Sequence, residues 1–207
     1  MVHHWPFDAS LKDIITNQNI ISIADYGYNT GYTGDRLGIS DSALYFNQGY
    51  GHFPVGNYFQ KSEFTIMVWI KLASYISSQA VFDFSNGEGN DNVMLQFFEG
   101  RLSPYLCGSL CYTELTSKRL EIGEWAHVTF VFKTKDNIQK VYIYIDAIQA
   151  LELQVDSIKT SVERSVNIIG KNSWKDPSIN ASLDDFKIYN RALTVNEITR
   201  VKNSGDS

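Results

Sequence analysis

The stretch Phe64-Thr65-Ile66-Met67-Val68-Trp69-Ile70-Lys71 decides the fold class. Every second residue, Phe64, Ile66, Val68 and Ile70, is apolar, while Thr65, Met67, Trp69 and Lys71 fall between them. Successive side chains of a strand point to opposite faces, so this is a strand with one buried face. The period recurs outward from it. Ala126, Val128, Phe130 and Phe132 share a face, Val141, Ile143 and Ile145 alternate with Tyr142, Tyr144 and Asp146, and Phe186 and Ile188 alternate with Asp185, Lys187 and Tyr189. The pattern predicts further strands at 3–7, 43–46, 80–84, 92–97, 101–106, 151–155 and 166–169. Gly, Asn, Asp and Ser clusters at 28–34, 49–51, 85–91, 135–137 and 171–178 read as the connections.

Short strands at such even spacing predict an all-β, two-sheet antiparallel β-sandwich or jelly roll. One helix is expected near the end. Thr194-Val195-Asn196-Glu197 has capping-box form, and Ile198 and Val201 continue an apolar stripe. With no repeat and no shift in composition, a single domain over 1–207 is expected. Trp5, Trp69 and Trp125 lie in or beside strands and are expected in the core.

Aromatic residues make up 14% of the 207, which suits half-buried pleated surfaces. Eighteen basic residues against 23 acidic ones give a formal charge of −5, with no Lys/Arg cluster to grip nucleic acid or an anionic membrane. The apolar runs are strand-sized and too short to insert into a membrane. The first eight residues have neither a charged nor an apolar leader segment. We therefore expect a domain excised from a longer secreted or cell-surface protein.

The two cysteines, Cys107 and Cys111, enclose Gly-Ser-Leu between two predicted strands. Paired strands bring Cα atoms within bridging distance, so a hairpin disulfide is expected, with two unpaired thiols as the alternative. A disulfide favours an oxidising, extracellular compartment. Asn180-Ala181-Ser182 is an N-glycosylation triplet at Asn180, in a polar stretch before a strand.

Several segments, in this order, resemble laminin-G-like jelly-roll domains of the concanavalin A-like lectin/glucanase superfamily. They are His4-Trp5-Pro6-Phe7-Asp8 with Leu11-Lys12-Asp13, Asp35-Arg36-Leu37-Gly38 and Ser42-Ala43-Leu44-Tyr45-Phe46. Next come the Phe64–Lys71 strand and Gly123-Glu124-Trp125-Ala126-His127-Val128, which is similar to the family's G-x-W-x-H-V. Val141-Tyr142-Ile143-Tyr144-Ile145-Asp146 stands where the family writes V-x-I-Y-I-D-G, with Ala147 replacing the glycine. Ser182-Leu183-Asp184-Asp185-Phe186-Lys187-Ile188-Tyr189 resembles its last strand. The resemblance implies two face-to-face sheets with the first and last strands adjacent.

The superfamily includes β-glucanases, whose paired carboxylates follow an E-x-D-x-E strand that this sequence lacks. Asp184 and Asp185, as strand neighbours, are expected on opposite faces. His127 is expected to be a structural residue. No enzyme activity is therefore expected. The resemblance also implies a structural calcium bound by hard oxygens, with Asp184 from the last strand and Asp8 and Asp13 from the N-terminal region. The alternative for Asp184 is a solvated turn.

Loops carry binding residues on a rigid scaffold. Asn172-Ser173-Trp174-Lys175-Asp176 sets a ring among amides and a carboxylate, and the 85–92 loop, with Asn90, offers donors and acceptors. Trp174, Asn172, Asp176 and Asn90 are thus the candidate ligand residues, unless Trp174 merely folds onto the rim. Tyr142 and Tyr144 form a second aromatic face that is either exposed or covered. The expectation is a non-catalytic extracellular module that binds carbohydrate. The alternative is an adhesion or receptor domain that binds a protein and has no sugar site.

Overall fold

The computed structural model describes residues 1–23, 29–75 and 78–204. In chain order the strands are β1 (His3–Trp5), β2 (Ile21–Ile23), β3 (Asn29–Thr33), β4 (Ala43–Asn47), β5 (Tyr50–His52), β6 (Phe64–Leu72), β7 (Gln79–Ser85) and β8 (Val93–Phe98). They continue with β9 (Arg101–Cys107), β10 (Cys111–Thr113), β11 (Trp125–Lys135), β12 (Ile138–Ile145), β13 (Ile148–Val155), β14 (Val166–Ile169) and β15 (Asn180–Tyr189), before helix α1 (Val195–Asn203). An eight-stranded sheet runs β13-β12-β11-β6-β15-β4-β3, with β1 also paired to β15. A seven-stranded sheet runs β10-β9-β8-β7-β14-β5-β2. The strand pairings are antiparallel, which makes the fold a β-sandwich of jelly-roll type.

The alternating residues meet between the sheets. Phe64, Ile66, Val68 and Ile70 face Phe82, Phe84, Leu95 and Phe97 across one core, together with Phe130, Phe132, Leu183 and Phe186. Each is at most 2% exposed, and such burial stabilises the fold by about 1.5–3 kcal/mol per large apolar side chain. Trp5 joins this core edge-on to Phe53 and Phe186.

Trp69 and Trp125 depart from expectation. Both lie on the outer face of the eight-stranded sheet and are half-buried, Trp69 under Arg36 (4.8 Å) and Trp125 under Lys71 (5.3 Å). They occupy the alternate register to the apolar face, where a covering cation, and for Trp69 the His127 ring as well, shields them from water. The same face carries Met67, Val131, Tyr144, Leu193 and Ile198, because α1 packs there. Tyr144 is therefore covered, while Tyr142 is only half-buried at the margin of this cluster. Thr194 caps α1 as the capping box requires, with Glu197 reaching back to its backbone N–H.

Three strands fall where connections were expected or nothing was. β3 lies within 28–34, of which residue 28 lies outside the described residues, β5 overlaps 49–51, and β2 had no signal. Strands at or near a sheet edge, with Gly31 or Gly51 inside them, need no alternating buried face and leave no period to read. The β11–β12 turn (Asp136, Asn137), the β12–β13 turn (Asp146, Ala147) and the β8–β9 turn (Glu99, Gly100) all have φ > 0 at both central residues. This is the primed turn that matches strand twist. Among the described residues no helix is long and apolar enough to cross a membrane.

Candidate functional site

Pairing across the seven-stranded sheet aligns one outward row. Thr113 stands opposite Tyr105, Tyr105 opposite Met94, Met94 opposite Asp83, Asp83 opposite Ile168, and Ile168 opposite His52. The 171–176 loop, which follows β14, folds over the middle of this row and is pinned to it. Asp83, fully buried, accepts from the Ser173 backbone N–H (2.9 Å) and from Asn92 Nδ2 (3.0 Å). Burial pushes the Asp83 carboxyl upward against these hydrogen bonds. Asn172 is also buried. Its Nδ2 donates to Asp176 (2.8 Å) and its Oδ1 accepts from the Trp174 N–H (3.1 Å).

The result is a fixed aromatic wall. Trp174 stands perpendicular to Tyr105, with ring centroids 5.4 Å apart and an interplanar angle of 89°. It separates two clefts. One, of about 190 Å3, is lined by Met94, Gln96, Phe98, Tyr105, Trp174 and Asp176. The other, of about 330 Å3, is lined by Tyr50, His52, Glu88, Ile168, Lys171 and Trp174. Lys171 lies over the Tyr50 ring at 4.9 Å.

The structure thus brings Trp174, Asn172 and Asp176 together and does not bring Asn90 to them. Asn90 donates to the Glu88 carbonyl (3.3 Å) within its own loop, and it is Gly87 and Glu88 of that loop that face the second cleft. Sequence reading did not single out Tyr105, Met94, Gln96 or Asp83. Their signal is the outward register of β7–β9, visible only once the strands are aligned. Arg164 was also missed. Fully buried, it donates to the carbonyls of Asp91 (2.9 Å), Thr160 (3.1 Å) and Lys159 (2.7 Å), and so holds the end of the 85–91 loop.

The three aspartates expected to share an ion are placed differently. Asp13 is buried and spent. Its carboxylate accepts from His3 Nδ1 (2.7 Å), the N–H groups of His4 and Ile15 (both 2.9 Å) and Thr16 Oγ1 (2.5 Å). Burial alone would raise its pKa, but these bonds hold it below the ordinary carboxylate value. Asp8 is exposed, close enough to Asp185, Asp35 and His4 to feel their charges.

Asp184 and Asp185 do not face apart. A register shift in β15, with Asp185 at φ 53°, turns both toward Arg36 Nη1, at 2.7 and 3.1 Å. Asp185 also meets His4 Nε2 (2.7 Å) and Lys187 Nζ (3.1 Å). Burial, then the Asp185 charge, push the Asp184 carboxyl up to about 7 against the pull of Arg36. Asp185 resists burial through His4 and Lys187 and stays below its ordinary value. The oxygens Asp35 Oδ2 and Asp184 Oδ1 are buried without a hydrogen-bond donor, whereas Asp185 Oδ2 faces the Arg36 guanidinium as an ion pair. Among the described residues, no three His, Cys, Asp or Glu side chains converge closely enough to hold a metal by themselves.

His127 is buried against Trp69, ring centroids 5.1 Å apart, and burial drives its pKa down to about 3, so it is a neutral packing residue. Cys107 and Cys111 form the hairpin disulfide between β9 and β10. Asn180 lies inside β15 rather than ahead of it, half-buried, with its amide oxygen accepting from the Tyr45 hydroxyl (3.4 Å).

Among curated proteins no sequence match reaches significance. Solved structures share the fold. Domain 4 of AbnA, a GH43 extracellular arabinanase from Geobacillus stearothermophilus, solved with arabinotriose, superposes with a TM-score of 0.78 at 21% identity, covering 97% of each chain. The binding domain of Paraclostridial Mosquitocidal Protein 1 (TM-score 0.64, 16% identity) matches 98% of this chain over 51% of its own length. The binding domain of Botulinum neurotoxin DC, in complex with rat synaptotagmin II, matches 99% over 51% (TM-score 0.68, 15% identity). The chain thus spans about half of each of these two toxin domains. The Laminin_G_3 family pattern matches residues 46–199, well over half of the sequence, and the chain belongs to that family of the concanavalin A-like lectin/glucanase superfamily.

Proposed function

We propose that this domain is a non-catalytic glycan-binding module of a secreted or cell-surface protein, with the outer face of the seven-stranded sheet as its combining site. The observation that carries the reading is Trp174, half-buried, fixed by a buried hydrogen-bond set and flanked by clefts that mix rings with amides and charges. A sugar presents an apolar face and a ring of hydroxyls, and this surface offers a partner for each. From β10 to β5 the face spans five strand spacings, roughly 24 Å, enough for an extended oligosaccharide. The arabinotriose held by the AbnA domain supports a glycan, and the disulfide supports an oxidising compartment.

The carboxylates beside Trp174 support binding without catalysis. Asp83 is buried beneath Ser173, and Asp176 is held by Asn172. Calorimetric titration against a panel of oligosaccharides, repeated with Trp174→Ala, tests the proposal. Binding of at least one sugar, lost in the variant, is expected. Silence across the panel, with a protein ligand captured instead, overturns it in favour of an adhesion domain such as the toxin domain bound to synaptotagmin.

Calcium is a second proposal, at a narrower place than the sequence implied. Its support is the two buried carboxylate oxygens without donors, Asp35 Oδ2 and Asp184 Oδ1. Asp184 and Asp35 would supply carboxylate oxygens, and backbone carbonyls and water would complete the shell, since no three acidic side chains converge there among the described residues.

A further inference from the structure

A further cleft on the same face, about 700 Å3, lies beyond Phe98 toward β10, and its chemistry differs from that around Trp174. Arg101 opens β9 directly opposite Phe98 on one side, and on the other it forms an antiparallel bridge with Arg119. Residues directly opposed in this way share a face with Cβ atoms about 5 Å apart, and like charges so placed repel. The fold therefore sets two arginines opposite each other at the edge of one cleft, in a protein of net charge −5.

Neither charge is well neutralised. Arg119, exposed, meets Glu99 only at 3.4 Å, and Arg101 has no ion pair or hydrogen bond from its guanidinium among the described residues, its buried Nε included. Glu114 lies exposed at the rim of the same cleft. Ser103 and Thr113, bonded to each other at 2.6 Å, and the apolar faces of Phe98 and Leu115 complete the lining.

We propose that this cleft is an anion subsite in which Arg101 and Arg119 grip the carboxylate of an acidic sugar, so that the module prefers uronate-bearing glycans. The inference rests on the glycan reading above and names its ligand class. A guanidinium fork matches the two oxygens of a carboxylate, and such charge-assisted pairs are stronger than neutral hydrogen bonds. Phe98 lines both this cleft and the one beside Trp174, so the two adjoin on one face, and an extended chain stacked on Trp174 would run toward the arginines.

The test is calorimetric titration of the intact chain with a galacturonic acid tetramer, with its methyl ester, which keeps the shape and removes the charge, and with a sulfated galactose tetramer. The acid is expected to bind about tenfold more tightly than the ester, the worth of one charge-assisted bond. Arg101→Gln should erase that preference and Arg119→Gln should reduce it, while Arg101→Lys, which keeps the charge but loses the fork, should fall between. Melting of each variant guards against misfolding. Equal affinity for acid and ester, or a preference that survives Arg101→Gln, overturns the subsite and leaves the glycan reading standing. Binding of the sulfated tetramer alone overturns the carboxylate assignment. Acid binding that survives Trp174→Ala but not Arg101→Gln upholds the subsite and sinks the Trp174 platform instead.

Discussion

Trp174 stands edge-on to Tyr105 at 5.4 Å, and the buried carboxylate of Asp83 fixes it there by anchoring the neighbouring Ser173 N–H. The ring is thus part of a preformed wall, and a ligand meets it without first ordering the loop. Trp174→Ala should weaken oligosaccharide binding by at least about tenfold, as expected for losing a stacking ring. The melting temperature should move little, since the ring is half-exposed and the anchor uses the Ser173 backbone. Asp83→Asn should weaken binding as well, by releasing the loop, and should also lower stability. Titration and melting of both variants check the pair. A Trp174→Ala protein that binds as the wild type does would remove the ring from the site.

The sandwich was legible because β6, β11 and β12 keep a strict period of two over long runs. The binding face was only half legible. Trp174, Asn172 and Asp176 lie within five residues of one another, so composition alone drew attention to them. Tyr105, Met94 and Asp83 converge by strand pairing over tens of residues, and no local pattern carries that. Asp184 and Asp185 show the other limit. Strict alternation sends them to opposite faces, and the shift in β15 that reunites them on Arg36 shows in the sequence only as the three-residue step from Leu183 to Phe186 in its apolar row.

That reunion makes stability depend on pH. The Asp184 carboxyl is pushed up to about 7 from an ordinary value of 3.8, so the folded state holds its proton more tightly than the unfolded one. Its contribution is fully present below about pH 4, is lost as pH rises to about 7, and stays flat above. Asp185, held low by His4 and Lys187, contributes in the opposite sense and loses its share as pH falls below its ordinary value. Melting in chelator should therefore show stability falling from pH 4 to 7, and Asp184→Asn should flatten that window while leaving the acid limb. An unchanged slope in the variant would place the titration elsewhere.

Calcium enters through the same oxygens. Added at millimolar concentration at pH 8, where Asp184 is ionised, it should raise the melting temperature, by about 2.7 kcal/mol of linkage at one hundred times Kd. Asp184→Asn should abolish the rise and Asp13→Asn should not, because Asp13 is fully occupied by its four donors. Coincident melts with chelator and with calcium would overturn the calcium proposal and leave Arg36 and Lys187 as the counter-charges of the cluster.

The Cys107–Cys111 bridge closes a very short loop, four positions apart. Chain-entropy scaling gives such a loop roughly 2 kcal/mol or less. Reduction should therefore lower the melting temperature by only a few degrees, with the fold retained. Global unfolding on reduction, seen by circular dichroism, would show that the hairpin matters far more than its loop length allows.

The β12–β13 turn offers a test in the stabilising direction. Asp146 and Ala147 both adopt positive φ, 55° and 65°, as a primed two-residue turn demands. At the second position a Cβ is crowded by the following carbonyl, at a cost of about 1–2 kcal/mol that glycine avoids. Glycine loses more backbone freedom on folding, which returns about 0.5–1 kcal/mol of that gain. Ala147→Gly should therefore stabilise the protein by about 0.5–1 kcal/mol net of that entropy. Denaturant midpoints of the two proteins decide it, with the m-value expected unchanged. A destabilised variant would mean that the Ala147 methyl contributes more through its packing near α1, where it touches the Met67, Val131 and Tyr144 cluster, than its backbone strain costs.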